Sequence, residues 1–464
     1  MSNENQSFLP IGEFTKVLNA VDKTARFFLL WRTQVEFSDS SSQQYDQFRI
    51  LHTQHLVNGC TGPIDVILRW LKYGLPAHKN TQKAGDFVWL DNMSVLVYQG
   101  LNYPLSVFPE FAQAVLGSIE EFVFRKMNLP ASTTDEYSPA GLTDNIPNLG
   151  LDFSFLDTDA TRVKITGSSD IILKAIMIQN PEKWKLPGSS NRLTPAMCRR
   201  YLRLFDILQD LLMVSVFVLG GQPPRGPELL SIQVRNTVHK RRNIVLYGNH
   251  VVVATDYHKG TAQYASQKII PRFLPERLGR VLVAYLAHIR PFAILCQEHA
   301  GVPVTLRSPL LWPVSEDLQS FPATSYLTNV LRKYTKLYIK REITVQQYRQ
   351  IAIKMDMDVI RTPRHLQDKP MEDDSESGNE DQFDFHTLQA AHSRRTEHNH
   401  YGVGQVLQLE LQRSVWVEYC EVSSKWQSFL GVNDASPLVS RLVPHIRYIV
   451  ILTTSIVPDP SERY

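Results

Sequence analysis

Apolar residues in the first third of the chain recur mostly at helical spacing. The stretches with this pattern run from Phe14 to Trp31, from Pro63 to Tyr73 and from Phe111 to Met127. Such spacing places the apolar side chains on one face of an α-helix, so we expect a mainly helical N-terminal region. From Pro130 to Pro147 the periodicity gives way to Ser, Thr, Asp, Pro and Gly, which indicates a surface connection.

The middle of the chain carries a longer helical stripe that ends in glycine and proline. Apolar residues keep helical spacing from Tyr201 to Val216, after which Gly220 and Gly221 end the pattern. The dipeptide Pro223-Pro224 follows, and proline fixes φ and removes a backbone donor. We expect a rigid turn there, and a short helix that begins at Pro227.

Three β-rich segments follow this turn. Ile244 to Tyr247 and Val251 to Thr255 are joined through Gly248-Asn249, which predicts a β-hairpin. A third candidate strand runs from Lys268 to Leu274 and contains Pro271. Because proline cannot donate a ladder hydrogen bond, this strand is expected at an edge. The sequence thus predicts a small three-stranded antiparallel sheet.

The last part of the chain combines helical patterns with one acidic stretch. Leu278 to Ile289 is predicted to be helical until Pro291. Thr344 and Gln347 have the spacing of a capping box, which predicts the start of a further helix. The stretch from Pro370 to Asp384 is strongly acidic with almost no apolar residues, and a flexible, solvated insertion is expected there.

These elements predict an α+β protein that is mainly helical. We expect a mainly helical N-terminal domain over residues 1–194, with a linker at about 130–147. A second domain over 195–432 would contain the small sheet and the acidic insertion at 370–384, and a C-terminal extension would cover 433–464.

Composition excludes several classes of protein. The 464 residues are 43% hydrophobic, and 49 Lys and Arg against 46 Asp and Glu leave a net charge of +3. The chain is therefore neither disordered nor histone-like, and it can fill two or three domain cores. Cys60, Cys198, Cys296 and Cys420 form no C-x-x-C pair, which argues against a zinc ribbon or disulfide framework and for a reducing compartment.

Sequence signals for membranes and nucleotides are also missing. The longest apolar runs are shorter than the roughly 18 residues that a spanning helix needs, and no secretory signal is readable at Met1. Neither a phosphate-binding G-x-x-x-x-G-K-[ST] nor a dinucleotide-binding G-x-G-x-x-G after a strand is present. We expect an intracellular protein with no membrane role that is neither an ATP-driven motor nor a dinucleotide enzyme.

Four separated pieces carry candidate chemistry. Arg225 opens an R-x-x-E-L pattern after a helix, and Lys259 lies between two predicted strands. Arg349 lies inside a predicted helix, and His392 precedes Tyr401 by nine residues. Each piece alone is common on ordinary surfaces, but their order and spacing together form a specific pattern.

This pattern resembles the catalytic domain of the tyrosine recombinases, the phage-integrase-like DNA breaking and rejoining enzymes. The resemblance covers roughly Pro195 to Trp426. The stretches Gly220 to Ile232 and Tyr257 to Gly260 look closest to recombinase-like segments of fungal mobile-element and telomere-associated reading frames, which often accompany a RecQ-type helicase. The resemblance implies that a helical DNA-gripping domain and a mixed catalytic domain enclose double-stranded DNA.

The resemblance also implies a role for each of the five side chains. Arg225 and Arg349 would stabilise the charge that develops on the phosphate oxygens in the transition state. Lys259 would protonate the departing 5′ oxygen, with Lys268 as a competing candidate. His392 would bind or position the phosphate, and Tyr401 would form a 3′-phosphotyrosyl bond. Because that bond keeps the energy of the phosphodiester, no cofactor and no metal is expected.

Two supporting positions bear on whether the chemistry is retained. Glu228 completes the R-x-x-E-L pattern that begins at Arg225. Gln346 stands three residues before Arg349, where the family has a histidine, and a glutamine cannot transfer a proton. Ala391 stands where a glycine usually precedes the second histidine.

Basic clusters outside the motif suggest DNA contacts. Basic side chains combined with the aromatic residues Tyr334 and Tyr338 suit a surface that follows phosphates, although a solvated helical face has the same composition. The candidate DNA-binding residues are Arg235, Lys240, Arg241, Arg242, Lys333, Lys336 and Lys340.

The expected function is DNA breaking and rejoining by several copies of the chain on double-stranded DNA, in the nucleus if the source is eukaryotic. One alternative is a DNA-binding relic that has kept the fold and lost the chemistry, which Gln346 motivates. Another is a protein interaction module that partners a helicase.

Overall fold

The structure is a computed structural model that describes residues 11–36, 41–57, 62–71, 87–130, 136–165, 170–179, 193–257, 268–314, 322–361, 386, 389 and 413–433. These residues are mainly helical and include two antiparallel sheets of three strands each. The expected mainly helical α+β class is confirmed. The acidic stretch at 370–384 and the extension beyond residue 433 lie outside the described residues.

The bounds of the elements, in chain order, are as follows. The helices are α1 (Ile11–Glu36), α2 (Ser41–His55), α3 (63–71), α4 (Val107–Glu121), α5 (Asp159–Lys164), α6 (Asp170–Gln179), α7 (Pro195–Leu219), α8 (Gly226–Leu230), α9 (Glu276–Ala284), α10 (Arg290–Ala300), α11 (Thr324–Tyr338), α12 (Val345–Met355) and α13 (Arg413–Phe429). The strands are β1 (Phe87–Leu90), β2 (Val95–Tyr98), β3 (Leu101–Pro104), β4 (Ile244–Tyr247), β5 (His250–Tyr257) and β6 (Lys268–Phe273).

The chain divides into two compact units, Met1–Leu105 and Ser106–Tyr464. The first unit contains α1 to α3 and a sheet in the order β1-β2-β3, which the sequence analysis did not predict. Each strand of this sheet is four residues long, too short to establish a clear alternation. Gln99 and Gly100 both have positive φ in the turn between β2 and β3, as a tight hairpin turn requires.

The second unit is built on α7, which lies against α4, α10 and α11. Its C-terminal half is almost wholly buried, because apolar side chains occupy every face from Leu211 to Leu219 apart from Ser215. The division at Leu105 differs from the predicted boundary after residue 194. Helix α4 belongs to the same core as α7, and this tertiary contact leaves no mark in the local sequence.

The predicted linker at 130–147 is partly built into the second unit. Tyr137 is fully buried and Leu142 nearly so. Asp144 is buried too, and its Oδ1 lies 2.6 Å from Nη2 of Arg242. The connection is thus anchored to the second unit by a few buried side chains, while Ala140, Gly141, Thr143, Asn145 and Pro147 remain exposed.

The sheet of the second unit has the predicted strands in the order β4-β5-β6. The hairpin pairs Ile244 with Val253, and Gly248 in its turn has a φ of 58°. Pro271 lies opposite Ala254 on β6, which is an edge strand as predicted. One face of the sheet packs against α13, where the Tyr247 and Trp416 rings stack with centroids 4.7 Å apart.

The helix predicted to end before Pro291 continues in a different form. After α9 the chain makes a π-helical turn over Tyr285–Ile289, and α10 then begins with Pro291 in its first turn. The π-helical turn directly before Pro291 interrupts the regular hydrogen-bond pattern, which is how a helical segment can accommodate a proline. The span Glu276–Ala300 is long and apolar enough to cross a membrane, but 72% of its most apolar window is buried in the protein, as in a core helix.

Candidate functional site

A sharp loop between α7 and α8, residues 220–225, carries Arg225 and is called the site loop below. Gly221 has a φ of 111°, and a Cβ there would lie 2.5 Å from Oε1 of Gln389, so only glycine fits. Arg225 precedes α8, and its backbone N–H donates to Oε2 of Glu228 at 3.0 Å. Nη1 of Arg225 lies 3.6 Å from Oε1 of the same carboxylate, which is buried. Glu228 thus supports Arg225 through both backbone and side chain.

Helix α12 brings Arg349 to the same loop. The helix starts with the predicted capping box: Oγ1 of Thr344 accepts from the backbone N–H of Gln347 at 3.2 Å, and Oε1 of Gln347 accepts from the N–H of Thr344 at 3.0 Å. Nε of Arg349 donates to the carbonyl of Pro223 at 3.1 Å. Two predicted site residues, 124 positions apart in sequence, are therefore held on one loop.

Aromatic packing fixes the rotation of α12 and so the direction of Arg349. The neighbouring Tyr348 is buried, with its ring 5.5 Å from that of Phe217, 6.4 Å from Phe108 and 6.5 Å from Phe111. Burial raises the pKa of the Tyr348 phenol above its ordinary value, so this tyrosine is a structural residue and a poor nucleophile.

Arg272 on β6 is a third arginine at the site loop, which was not among the residues predicted from the sequence. The side chain is fully buried, and its Nε donates to the carbonyl of Gln222 at 2.9 Å. Its Nη1 donates to Oγ1 of Thr255, and its Nη2 donates to the carbonyl of Gln389 at 2.7 Å. The available signal was an arginine in an otherwise apolar strand, next to Pro271.

Burial dominates the electrostatics of Arg272. It lowers the pKa of the guanidinium, the Glu228 carboxylate raises it, and the positive charge of Arg349 lowers it further, with a result of about 10. Arg272 therefore keeps its charge at neutral pH. Glu228 and Arg349 therefore act on the buried guanidinium in opposite directions.

Gln389 links the chain segment before His392 to the site loop. Its Oε1 accepts from the backbone N–H of Gln222 at 2.8 Å. Its Nε2 donates to the carbonyl of Pro271 at 3.2 Å and to Oγ of Ser423 at 3.0 Å. Gln389 precedes His392 by three residues, and it is the last described residue before His392.

Helix α13 holds the start of the site loop from the other side. The indole N–H of Trp426 donates to the carbonyl of Val218 at 2.9 Å, and Nε2 of Gln427 donates to the carbonyl of Leu219 at 3.2 Å. Oγ of Ser423 donates to the carbonyl of Gly220 at 3.4 Å. These bonds satisfy the last carbonyls of α7, which have no helical partners, and they fix the direction in which the loop leaves the helix.

Three of the five predicted catalytic residues, Lys259, His392 and Tyr401, lie outside the described residues. Lys259 comes two residues after the end of β5, in the connection to β6, and His392 and Tyr401 follow Gln389. Lys268 pairs with Tyr257 at the start of β6. Gln346 is exposed on the first turn of α12.

The first basic cluster is largely structural. Nη1 of Arg235 lies 2.9 Å from Oδ2 of Asp157. Arg242 is buried in its ion pair with Asp144, so its proposed role as a surface DNA contact is corrected: a guanidinium enclosed with its carboxylate cannot reach a phosphate. Nζ of Lys240 donates to the carbonyl of Ser231 at 3.0 Å.

Two other members of the basic clusters, Arg241 and Lys340, are neither buried in an ion pair nor fully extended into solvent. Arg241 is half-buried, and burial together with the charge of Arg242 lowers its pKa. Lys340 follows α11 with a φ of 61°, and its Nζ donates to the carbonyl of Leu337 at 2.8 Å. That lysine closes the helix end while remaining exposed.

The second basic cluster lies on the surface of α11. Lys333 and Lys336 are exposed, with Nζ of Lys333 3.8 Å from Asp210 and Nζ of Lys336 2.8 Å from Glu342. Tyr334 is buried instead of interleaving with the lysines on the surface. The α11 face can thus attract phosphates, but the aromatic platform that was expected beside it is absent from the described residues.

No protein-family model matches this chain, and no solved structure matches it. Within the described residues, no group of three or more His, Cys, Asp or Glu side chains is placed to hold a metal ion.

Proposed function

We propose that the chain breaks and rejoins DNA through a 3′-phosphotyrosyl intermediate. The observation that carries the proposal is the hydrogen bond from Arg349 to the carbonyl of Pro223, two residues before Arg225. It places two guanidinium groups from distant parts of the sequence on one loop. Two such groups suit a phosphodiester, because its nonbridging oxygens gain negative charge as the nucleophile attacks.

The remaining chemistry would come from two other segments of the chain, which lie outside the described residues. Lys259 in the connection after β5 would protonate the departing 5′ oxygen, and His392 would hydrogen-bond the phosphate. Tyr401 would attack phosphorus, so that its oxygen–phosphorus bond forms as the bond to the 5′ oxygen breaks. The anchored position of Gln389 supports this arrangement, because Gln389 lies three residues before His392 in sequence and its Oε1 accepts from the backbone N–H of Gln222.

The proposed partner is double-stranded DNA, with several copies of the chain acting on it in the nucleus of a eukaryotic source. The exposed lysines of α11, Lys333 and Lys336, would supply nonspecific attraction to the phosphates. An origin in a mobile element and a helicase partner belong to the same proposal, and both come from the resemblance alone.

A nicked suicide substrate tests the chemistry, because loss of the short strand traps the covalent adduct. We expect the wild-type chain to form a protein–DNA adduct and Tyr401→Phe to form none. Tyr419→Phe examines a second tyrosine, on α13, which is buried in the cluster between that helix and the sheet. Tyr45→Phe, an exposed tyrosine of the first unit, is the matched control and should form the adduct at the wild-type rate.

The possible results of this experiment distinguish between two nucleophiles and between three functions. Loss of the adduct in Tyr419→Phe but not in Tyr401→Phe would move the nucleophile to α13. DNA binding without an adduct from any mobile-element end would favour a DNA-binding relic, which the exposed Gln346 in place of a histidine already motivates. No salt-sensitive DNA binding at all would overturn both DNA functions and favour a protein interaction module.

A further inference from the structure

We propose that Arg272 is a positioning residue that sets the Arg225 and Arg349 guanidiniums around one phosphate-class anion. This inference rests on the proposed function for its substrate. Arg272 itself has no path to solvent, so it acts through the backbone of the site loop and through its buried charge.

The first argument is the set of groups that Arg272 bonds. Its guanidinium donates to the carbonyl of Gln222 in the site loop, to Thr255 on β5 and to the carbonyl of Gln389. These acceptors come from three separate segments and are all uncharged. Burying a cation is costly, and buried charges are usually paired directly with an opposite charge. A residue needed only to fill this space could have been neutral.

Arg272 and Arg349 bind consecutive carbonyls of the site loop. Arg272 binds the carbonyl of Gln222 at 2.9 Å, and Arg349 binds the next carbonyl, that of Pro223, at 3.1 Å. Two adjacent peptide units are thereby held by side chains from two different elements, β6 and α12. Because Arg225 follows two residues later, its direction depends on both bonds. A loop held in this way needs little rearrangement when an anion binds, which is the condition for strong charge stabilisation.

The third argument is the local charge. Arg225, Arg272 and Arg349 bring positive charge to one loop, and Glu228, which pairs with Arg225, offsets part of it. The remaining repulsion between Arg272 and Arg349 is relieved when an anion lies near them. The loop therefore favours a bound phosphate group through its buried cation as well as through its two candidate contact residues.

The structure offers a matched control in Arg290. Its guanidinium is also buried, and Nη2 donates to the carbonyls of Leu306, Ser308 and Leu310 at 2.9, 2.6 and 2.8 Å. Both arginines are thus buried cations that bind backbone carbonyls in the same compact unit. The carbonyls bound by Arg290 lie outside the site loop, so Arg290→Met reports the general cost of removing such a residue.

The test compares Arg272→Met, Arg272→Lys and Arg290→Met in the full-length chain. Three properties are measured: urea unfolding, affinity for nicked DNA, and the single-turnover cleavage rate at saturating DNA. We expect Arg272→Met to cleave about 100-fold more slowly, with DNA affinity changed less than about threefold. Arg272→Lys should recover part of the rate because it keeps the charge, and Arg290→Met should cleave at the wild-type rate. Equal rates in Arg272→Met and Arg290→Met would overturn the inference.

A second readout separates this inference from the proposed function. Inorganic phosphate is titrated and followed by phosphorus NMR, with Arg225→Ala as the reference for loss of the site. If the wild-type chain forms no adduct but binds phosphate, and Arg272→Met weakens that binding while Arg290→Met does not, the cleavage function fails and the positioning role stands. If phosphate binding is absent or unaffected by Arg272→Met in a chain without cleavage, both fail.

A folding defect in Arg272→Met would still leave two informative variants. Arg272→Lys keeps the buried charge, and Gln389→Leu removes the bond to the Gln222 N–H without touching any charge. We expect each to slow cleavage, or weaken phosphate binding, by about tenfold. Wild-type behaviour in both folded variants would overturn the inference.

Discussion

The site loop and the basic segment at 235–242 both contain arginines, but they use them in opposite ways. In the basic segment, Arg235 and Arg242 each meet an aspartate at hydrogen-bond distance. At the site loop, Arg272 and Arg349 bind backbone carbonyls instead. The first arrangement neutralises charge inside the fold. The second brings positive charge to one loop from arginines that are far apart in sequence.

Basic residues that cluster in sequence therefore do not necessarily form an anion-binding surface. Neighbouring basic residues are easily matched by acids from an adjoining segment, here Asp144 and Asp157 from the region before α5. At the site loop, the carbonyls that accept from Arg272 and Arg349 do not cancel a positive charge, and Glu228 offsets that of Arg225 in part. Three predictions test this difference.

The largest expected effect is on stability, in the basic segment. Arg242→Ala leaves the buried Asp144 carboxylate without its cation, and we expect the free energy of unfolding to fall by about 3–5 kcal/mol. Urea unfolding measures the change. Arg162→Ala is the control, because Arg162 makes an exposed ion pair with Asp157 and should cost less than about 1 kcal/mol.

A double variant separates charge from packing in that pair. Arg242→Met combined with Asp144→Leu replaces both charges by apolar side chains, and it should recover most of the lost stability. If the double variant is as unstable as Arg242→Ala, the pair contributes through its exact geometry, and the charge argument for the basic segment is wrong.

The next largest effect is expected on the rate of DNA cleavage, for variants at the site loop. Arg225→Ala and Arg349→Ala should each slow single-turnover cleavage by about 100-fold to 1000-fold, because each removes a group that acts mainly in the transition state. DNA affinity should change far less. Rates measured on the nicked substrate at saturating DNA check this, and a loss of affinity that matches the loss of rate would mean that the arginines only bind.

Local patterns predicted the elements around the site well. The glycine and proline residues after α7, the hairpin at Gly248 and the capping box at Thr344 all act within a few residues. Each therefore leaves a readable signal. The edge position of Pro271 was predictable for the same reason. The small β1–β3 sheet was missed because its four-residue strands show little pattern.

The properties that sequence did not reveal all depend on contacts between distant residues. The burial of Arg242 is set by Asp144, nearly a hundred positions earlier. The role of Arg272 depends on Gln222 and Gln389, which no local pattern connects to it. Arg225 and Arg349 were predicted as a pair through the resemblance, and the bond from Arg349 to Pro223, two residues before Arg225, depends on the tertiary structure.

The smallest expected effect concerns the lysines of the two basic clusters. Lys333 and Lys336 are exposed on α11, so replacement of each by alanine should lower the slope of log affinity against log salt by about 1, uniformly across DNA sequences. Lys240→Ala should lower the slope by less, because Lys240 is only partly exposed and its Nζ is held at the carbonyl of Ser231, where the ammonium is less able to reach a phosphate. Fluorescence anisotropy over a range of salt concentrations measures the three slopes. If Lys240→Ala lowers the slope more than either α11 variant does, the DNA-facing surface lies on the basic segment. In that case the basic segment, and not α11, attracts the phosphates.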